Sequence, residues 1–187
     1  MKVVNKFGIA KGKILVSEPC LGDDLFHNSV ILITKYDNND TVGFILNKPL
    51  NLNFNDIIED CPLFKAKIHN GGPVSSNNLY FIHRVPKMIP NSIHIVNDLY
   101  WGGDFDSLIK LIKNNELSKE DVLFFLGYSG WGPKQLQNEI IHNSWKVHEI
   151  KKSLFDWDVN TIWESYISDS GQEHKIWGNA PKIIRDN

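Results

Sequence analysis

The sequence predicts an α+β fold with a mainly antiparallel sheet and flanking helices. Three observations carry this expectation. Two apolar runs joined by a polar, turn-rich connection read as a hairpin near the N-terminus. Strands and helices then follow in the order β-β-β-α-β-β-α-β-α-β-α, which lacks the regular alternation of a doubly wound fold. A chain of 187 residues with 42% hydrophobic and 22% charged content suits one domain with its own core.

The first strands are expected at Lys13 to Ser17, Ser29 to Lys35 and Val42 to Leu46, with Tyr36 to Asp40 as the hairpin turn. Next, Phe54, Ile57, Ile58 and Cys61 fall at helical spacing, with Asn53 as N-cap and Pro62 as stop. Leu79 to His83 and Ile93 to Val96 read as strands, bounded by turns at Gly71-Gly72-Pro73 and Pro86 to Pro90. After Asp104 a helix is expected, with Phe105, Leu108, Ile109 and Ile112 as its stripe and Lys110 and Lys113 suiting its C-terminal end. Asn114-Asn115 ends it. Val122 to Leu126 is an apolar strand, Gly127 to Gly132 a loop, and Pro133 the N1 residue of the following helix. Trp145 to Ile150 alternates as a strand with one wet face would. Thr161-x-x-Glu164 is a capping box, opening a terminal helix near 161–169 with the stripe Ile162, Trp163, Tyr166 and Ile167 and a stop at Gly171. That helix is expected to dock on the domain formed by residues 1–187.

Composition narrows the function classes. The N-terminus Met1 to Lys6 has no apolar segment followed by a cleavage site, and runs such as Val30 to Ile33 are too short to cross a bilayer, so a cytoplasmic protein is expected. Cys20 and Cys61 share no ligand spacing and read as free, buried thiols. The net charge is −2 and no helix carries a clustered basic face, so direct nucleic-acid binding is not expected. Nor is a helix-turn-helix, because a loop and a strand follow the Asp104 helix.

Four segments exceed what strands and helices need: Gly22-Asp23-Asp24-Leu25-Phe26-His27, Asn47-Lys48-Pro49, Gly71-Gly72-Pro73-Val74 and Phe125 to Leu136, which contains Gly127-Tyr128-Ser129-Gly130-Trp131-Gly132. In this order and at these separations they resemble the YqgE/AlgH family of small bacterial proteins, over about Gly12 to Trp145. The resemblance implies a bent sheet forming a pseudo-barrel, a cytosolic location and no assigned biochemical activity. One branch is named for a role in regulating alginate production, and many members are labelled transcriptional regulators on that basis.

The residues themselves offer several chemistries. Ser129 lies between a strand and a helix as a nucleophile would, but Gly-x-Ser-x-Gly is broken by Trp131, and seven scattered histidines assign no base. The resemblance also implies that alanine often stands at this position. Gly71-Gly72-Pro73 lacks the Gly-Lys-Ser/Thr of a phosphate loop and reads as a rigid turn. Asp23, Asp24 and His27 have no metal-ligand spacing. Trp131 is expected to anchor under the following helix, and free N–H groups at the start of that helix, beside Lys134, would attract an anion. The candidate ligand- or partner-binding residues are therefore His27, Asn47, Gly71, Gly72, Tyr128, Gly130, Trp131 and Lys134, with no catalytic residue, metal or cofactor expected. The expected function is non-catalytic regulation through an unknown protein partner or a small anionic ligand. The alternative is a ligand binder or enzyme using a cleft between the Gly71-Gly72 turn and the Gly127-to-Gly132 loop.

Overall fold

A computed structural model gives the fold and describes residues 7–19, 21 and 24–168. The apolar runs become strands β1 (Ile14–Ser17), β2 (Val30–Tyr36), β3 (Thr41–Ile45), β4 (Pro49–Asn53), β5 (Lys67–Asn70), β6 (Val74–His83), β7 (Ile93–Val96), β8 (Leu99–Trp101), β9 (Val122–Trp131) and β10 (Trp145–His148). The helices among the described residues are α1 (Phe54–Ile57), α2 (Phe105–Lys113), α3 (Gln135–Ile141) and α4 (Ile162–Ser168). None of them is long and apolar enough to cross a membrane.

The strands form one curled sheet in the order β10-β1-β2-β3-β9-β6-β8-β7, with β5 joining β4 to β9. Pairing is antiparallel except between β5 and β9. The organising element is β9, whose first part pairs with β6 and β5 and whose last three residues pair with β3. One strand therefore serves both halves of the sheet. The curl makes a half-barrel and carries β7 round to the segment preceding β1, where Lys11 Nζ donates to His94 O at 2.7 Å and Gly12 packs against Val96.

Strand periodicity explains why so many positions are apolar. Ile14, Val16, Val30 and Leu32 face a cluster with Phe44, Ile82 and Phe125 that α4 covers through Ile162, Trp163, Tyr166 and Ile167. Their neighbours Leu15, Ile31 and Ile33 point the other way, against Trp131, Trp145 and Leu136 of α3. The far half of the sheet buries Phe54, Ile68, Phe81 and Phe124 under Leu108, Leu111 and Ile112 of α2. Both faces are covered, so the strands read as continuous apolar runs. Polar ties fix α4 in place: Trp163 Nε1 donates to Ser17 O at 3.0 Å and the Tyr166 hydroxyl to Glu149 O at 3.1 Å. Burial pushes the Tyr166 hydroxyl pKa up to about 12.

Several sequence expectations need correction. The segment expected as the loop Gly127 to Gly132 is the second half of β9, because its backbone pairs with β3 as far as Trp131. Pro133 is not N1: α3 starts at Gln135, with Lys134 as N-cap in the left-handed region at φ 64. α1 is a single turn whose Ile57 is exposed; Asn53 N–H donates to Asp56 Oδ2 at 2.8 Å at its start, and Ile58 leaves the helical region at φ −109, ψ 89. On α2, Phe105 is exposed and Leu111 takes a core place instead. β4, β5 and β8 were not expected, the first two being interrupted by Asn, His or Lys and β8 being only three residues long, and β6 begins at Val74. Cys20, Gly22, Asp23 and Gly171 lie outside the described residues.

Candidate functional site

Four turn-rich segments, distant along the chain, meet at the corner where β9 passes between the two halves of the sheet. Gly127 makes the bend at φ +68. A side chain there would strike the Gly72 carbonyl, and one on Gly71 would strike the carbonyl of Gly127. Gly72, at φ +144, lies directly on the backbone of Tyr128 and Ser129. Close approach of two backbones at a corner is what glycine in a strand permits. At Gly71, Gly72 and Gly127 the two segments are therefore in direct main-chain contact.

Hydrogen bonds bring the other segments to the same corner. Gly71 N–H donates to Leu126 O at 2.8 Å, while Gly71 O accepts from Ile45 N–H at 3.0 Å and from the Ser129 hydroxyl at 3.1 Å. Gly72 N–H donates to Asn70 Oδ1 at 3.0 Å, and Asn70 N–H donates to Lys48 O at 2.8 Å. Asn47 bridges to the preceding turn, its Oδ1 accepting from Val30 N–H at 2.9 Å and its Nδ2 donating to Asn28 O at 2.8 Å. Lys48 Nζ donates to His27 O at 2.7 Å, and burial holds the lysine below its usual pKa. The His27 ring is exposed; the corner uses its carbonyl.

Trp131 and Lys134 lie beyond the corner. The Trp131 ring is 4% exposed and packs edge-on to Trp145 at 6.1 Å. Both indole N–H groups donate to one oxygen of Glu139, each at 2.8 Å, and Gln135 Nε2 donates to its other oxygen at 2.9 Å. Gln135 Oε1 in turn accepts from Gly132 N–H at 3.0 Å. The turn entering α3 is thereby supplied from within the chain. Alternation along β9 places Tyr128 and Gly130 on the opposite face, where the Tyr128 ring lies against the bare Gly130 and edge-on to Tyr80 at 5.7 Å.

The eight candidates thus divide between a corner, a tryptophan clamp and an aromatic face. Cavities of about 510 and 400 Å³ occur beside α4 and beside β10, and none of the eight lines either. Ser129 is fully buried. A serine and a histidine do meet at Ser92 and His83, 3.0 Å apart. However, His83 Nδ1 accepts from Val85 N–H, so the ring proton sits on Nε2 and that nitrogen cannot deprotonate Ser92. Burial lowers the pKa of His83, and also of His69, whose Nδ1 lies 3.4 Å from Phe124 O. Cys61 is buried and its thiol pKa is raised by that burial. Among the described residues, no three His, Cys, Asp or Glu side chains are grouped as a metal would require. Sequence reading missed Glu139, Tyr80, Ser92 and His83; only the Gln135-x-x-x-Glu139 helical spacing hinted at any of them.

Residues 14–175 match the AlgH-like family, DUF179. A UPF0301 protein of Cytophaga hutchinsonii is 39% identical over 92% of this chain and 96% of its own. For a UPF0301 protein of Bacteroides fragilis the identity is 37%, over 93% and 89%. The solution structure of the AlgH protein from Pseudomonas aeruginosa superposes with a TM-score of 0.71 at 21% identity, covering 91% of this chain and 94% of that one. Protein DIP2367 of Corynebacterium diphtheriae gives 0.73 at 21% identity, covering 92% and 93%. At such identity the two structures share a fold with this chain and nothing finer. The family match across the corner, the tryptophan clamp and most of the sheet shows that the chain belongs to the AlgH-like family.

Proposed function

We propose that the chain is a cytosolic, non-catalytic protein that binds a protein partner, with any effect on transcription passing through that partner. The observation that carries this reading is an aromatic stripe on the face shared with α4. Tyr128 of β9, Tyr80 of β6 and Trp101 of β8 are half-buried around Phe44, with ring centroids 5.6 Å from Phe44 for Tyr80 and 6.0 Å for Trp101. Ile93, opposite Trp101 on β7, extends the stripe and is 52% exposed. Half-buried Tyr and Trp with polar tips are the side chains that anchor protein interfaces. The buried, hydrogen-bonded state of Ser129 supports the non-catalytic part. A net charge of −2 gives little counterion release and supports an indirect role.

Affinity isolation with the wild-type chain and with Ile93→Lys tests the reading, since an exposed edge-strand position tolerates the change. The expected result is a stoichiometric partner that Ile93→Lys and Tyr128→Lys both lose, with an unfolding midpoint for Ile93→Lys equal to wild type. Equal recovery by all three chains would overturn the assignment of the face. Salt-sensitive, submicromolar binding to mixed-sequence duplex DNA would overturn the indirect role.

A further inference from the structure

The segment between β6 and β7 is held by one buried side chain. His83 has no exposed surface. Its Nδ1 accepts from Val85 N–H at 3.2 Å, which leaves the proton on Nε2. Nε2 lies 3.0 Å from Gly102 O and 3.0 Å from Ser92 Oγ. Ser92 gives its own proton to Ile89 O at 2.6 Å, so the imidazole N–H is shared between two acceptors. One ring therefore ties the start of the segment, its end and the chain after β8. Gly103, at φ +113, lets that chain press on Ile89, Pro90 and Ser92, and Asp104 N–H reaches Pro90 O at 2.8 Å. Ile89 beneath is 1% exposed.

The geometry points to an acid-opened latch: protonation of His83 Nδ1 sets a new N–H against Val85 N–H and frees residues 85–92 from the junction of β8 and α2. In the neutral ring every donor and acceptor is matched. In the imidazolium two donors face each other and a charge stands in a site with no water-facing surface. The ring's hydrogen-bond partners are uncharged. Around it stand Tyr100 of β8, stacked at 6.1 Å, and His94 of β7, 5.1 Å from Tyr100. Arg84 follows it on the chain and is bound to Asp121 at 2.7 Å, and the Asp104 carboxylate at the head of α2 accepts from Ser107 N–H at 2.7 Å. Both carboxylates are already engaged.

Burial lowers the ring's pKa, and the Gly102 carbonyl opposes that shift without reversing it. The closed form therefore holds fewer protons than the open one. The latch is closed above the ordinary histidine range, and its open fraction rises by up to about tenfold per pH unit below about 6.5. Release uncovers Ile89.

Amide exchange followed residue by residue by NMR, between about pH 7.5 and 5.5, tests the latch against the β2 amides as internal reference. The expected result is that, as pH falls, residues 85–92 and 102–104 lose protection while exchanging faster than the β2 amides, which open only with the whole fold, and that the His83 ring titrates below the ordinary histidine value. His83→Gln, which keeps an acceptor and a donor but cannot titrate, is expected to abolish the pH dependence. Ser92→Ala keeps the titration and moves its onset to higher pH. If His83→Gln does not fold, the wild-type ring titration and Ser92→Ala carry the test. Exchange of residues 85–92 at the β2 rate throughout this range, or the same local pH response in His83→Gln, would overturn the proposal.

Discussion

Two neighbouring residues of β9 show how burial and bonding set the importance of a side chain. Trp131 is packed against Leu136 and Trp145 and its N–H is one of the two indole donors to Glu139 Oε2. Ser129, equally inaccessible, gives one hydrogen bond to Gly71 O, which keeps the Ile45 N–H when the hydroxyl is removed. Trp131→Ala is therefore expected to cost about 3–5 kcal/mol, as large core truncations do. Ser129→Ala is expected to cost about 0.5–1.5 kcal/mol, because no buried acceptor is orphaned. Urea unfolding of the two variants measures the contrast. Similar midpoints would mean that the indole clamp does not hold α3 to the sheet.

At the scale of the element, β9 works as a shared strand only because it can bend where a second backbone touches it. Gly102 and Gly127 have nearly the same conformation, φ +64 and φ +68, but a side chain on Gly102 would meet nothing within 4 Å while one on Gly127 would collide with the Gly72 carbonyl. Gly102→Ala thus reports the backbone strain alone, about 1–3 kcal/mol. Gly127→Ala adds the collision and is expected to be distinctly worse, loosening the β5 and β3 pairings on either side of the bend. Comparison of their thermal midpoints isolates the collision. Equal losses would show that the corner relaxes and that close approach does not define it.

For the molecule as a whole, the ionisation of two buried histidines sets a window of acid sensitivity. His69 and His83 both have pKa values lowered chiefly by burial, partly opposed by the carbonyls of Phe124 and Gly102. The unfolded chain binds protons near pH 6.5 that the native rings refuse, so stability is complete above that value and falls as pH drops below it. Each ring contributes up to about 1.4 kcal/mol per pH unit in that window. Asp37 and Asp104, lowered by backbone and side-chain hydrogen bonds, lose their contribution only below their ordinary carboxylate range. The urea midpoint is expected to decline between about pH 6.5 and 5, and less steeply in His69→Asn. A flat midpoint over this range would mean that both rings take up protons without disturbing the fold.

Much of this architecture was legible in the chain. Apolar runs marked β1, β2, β3 and β7, and the stripe Ile162, Trp163, Tyr166 and Ile167 is the buried face of α4. Those signals are local, since a strand or helix buried on a known face must repeat its apolar residues at the period of its backbone. The order of elements also settled the α+β class, and the four turn-rich segments led to the family. What the sequence did not disclose is that Gly127 to Trp131 is strand, that Gly71 and Gly72 lie on that strand's backbone, and that one carboxylate joins Trp131 to Trp145. Glycine in sequence reads as a turn whether it frees a loop or admits a second main chain, and only the partner backbone distinguishes the two. The same holds for His83, whose role depends on Val85, Ser92 and Gly102 meeting around one ring. Pairing across tens of residues is decided by the closing of the sheet, and so the tertiary structure alone assigned the corner, the clamp and the latch.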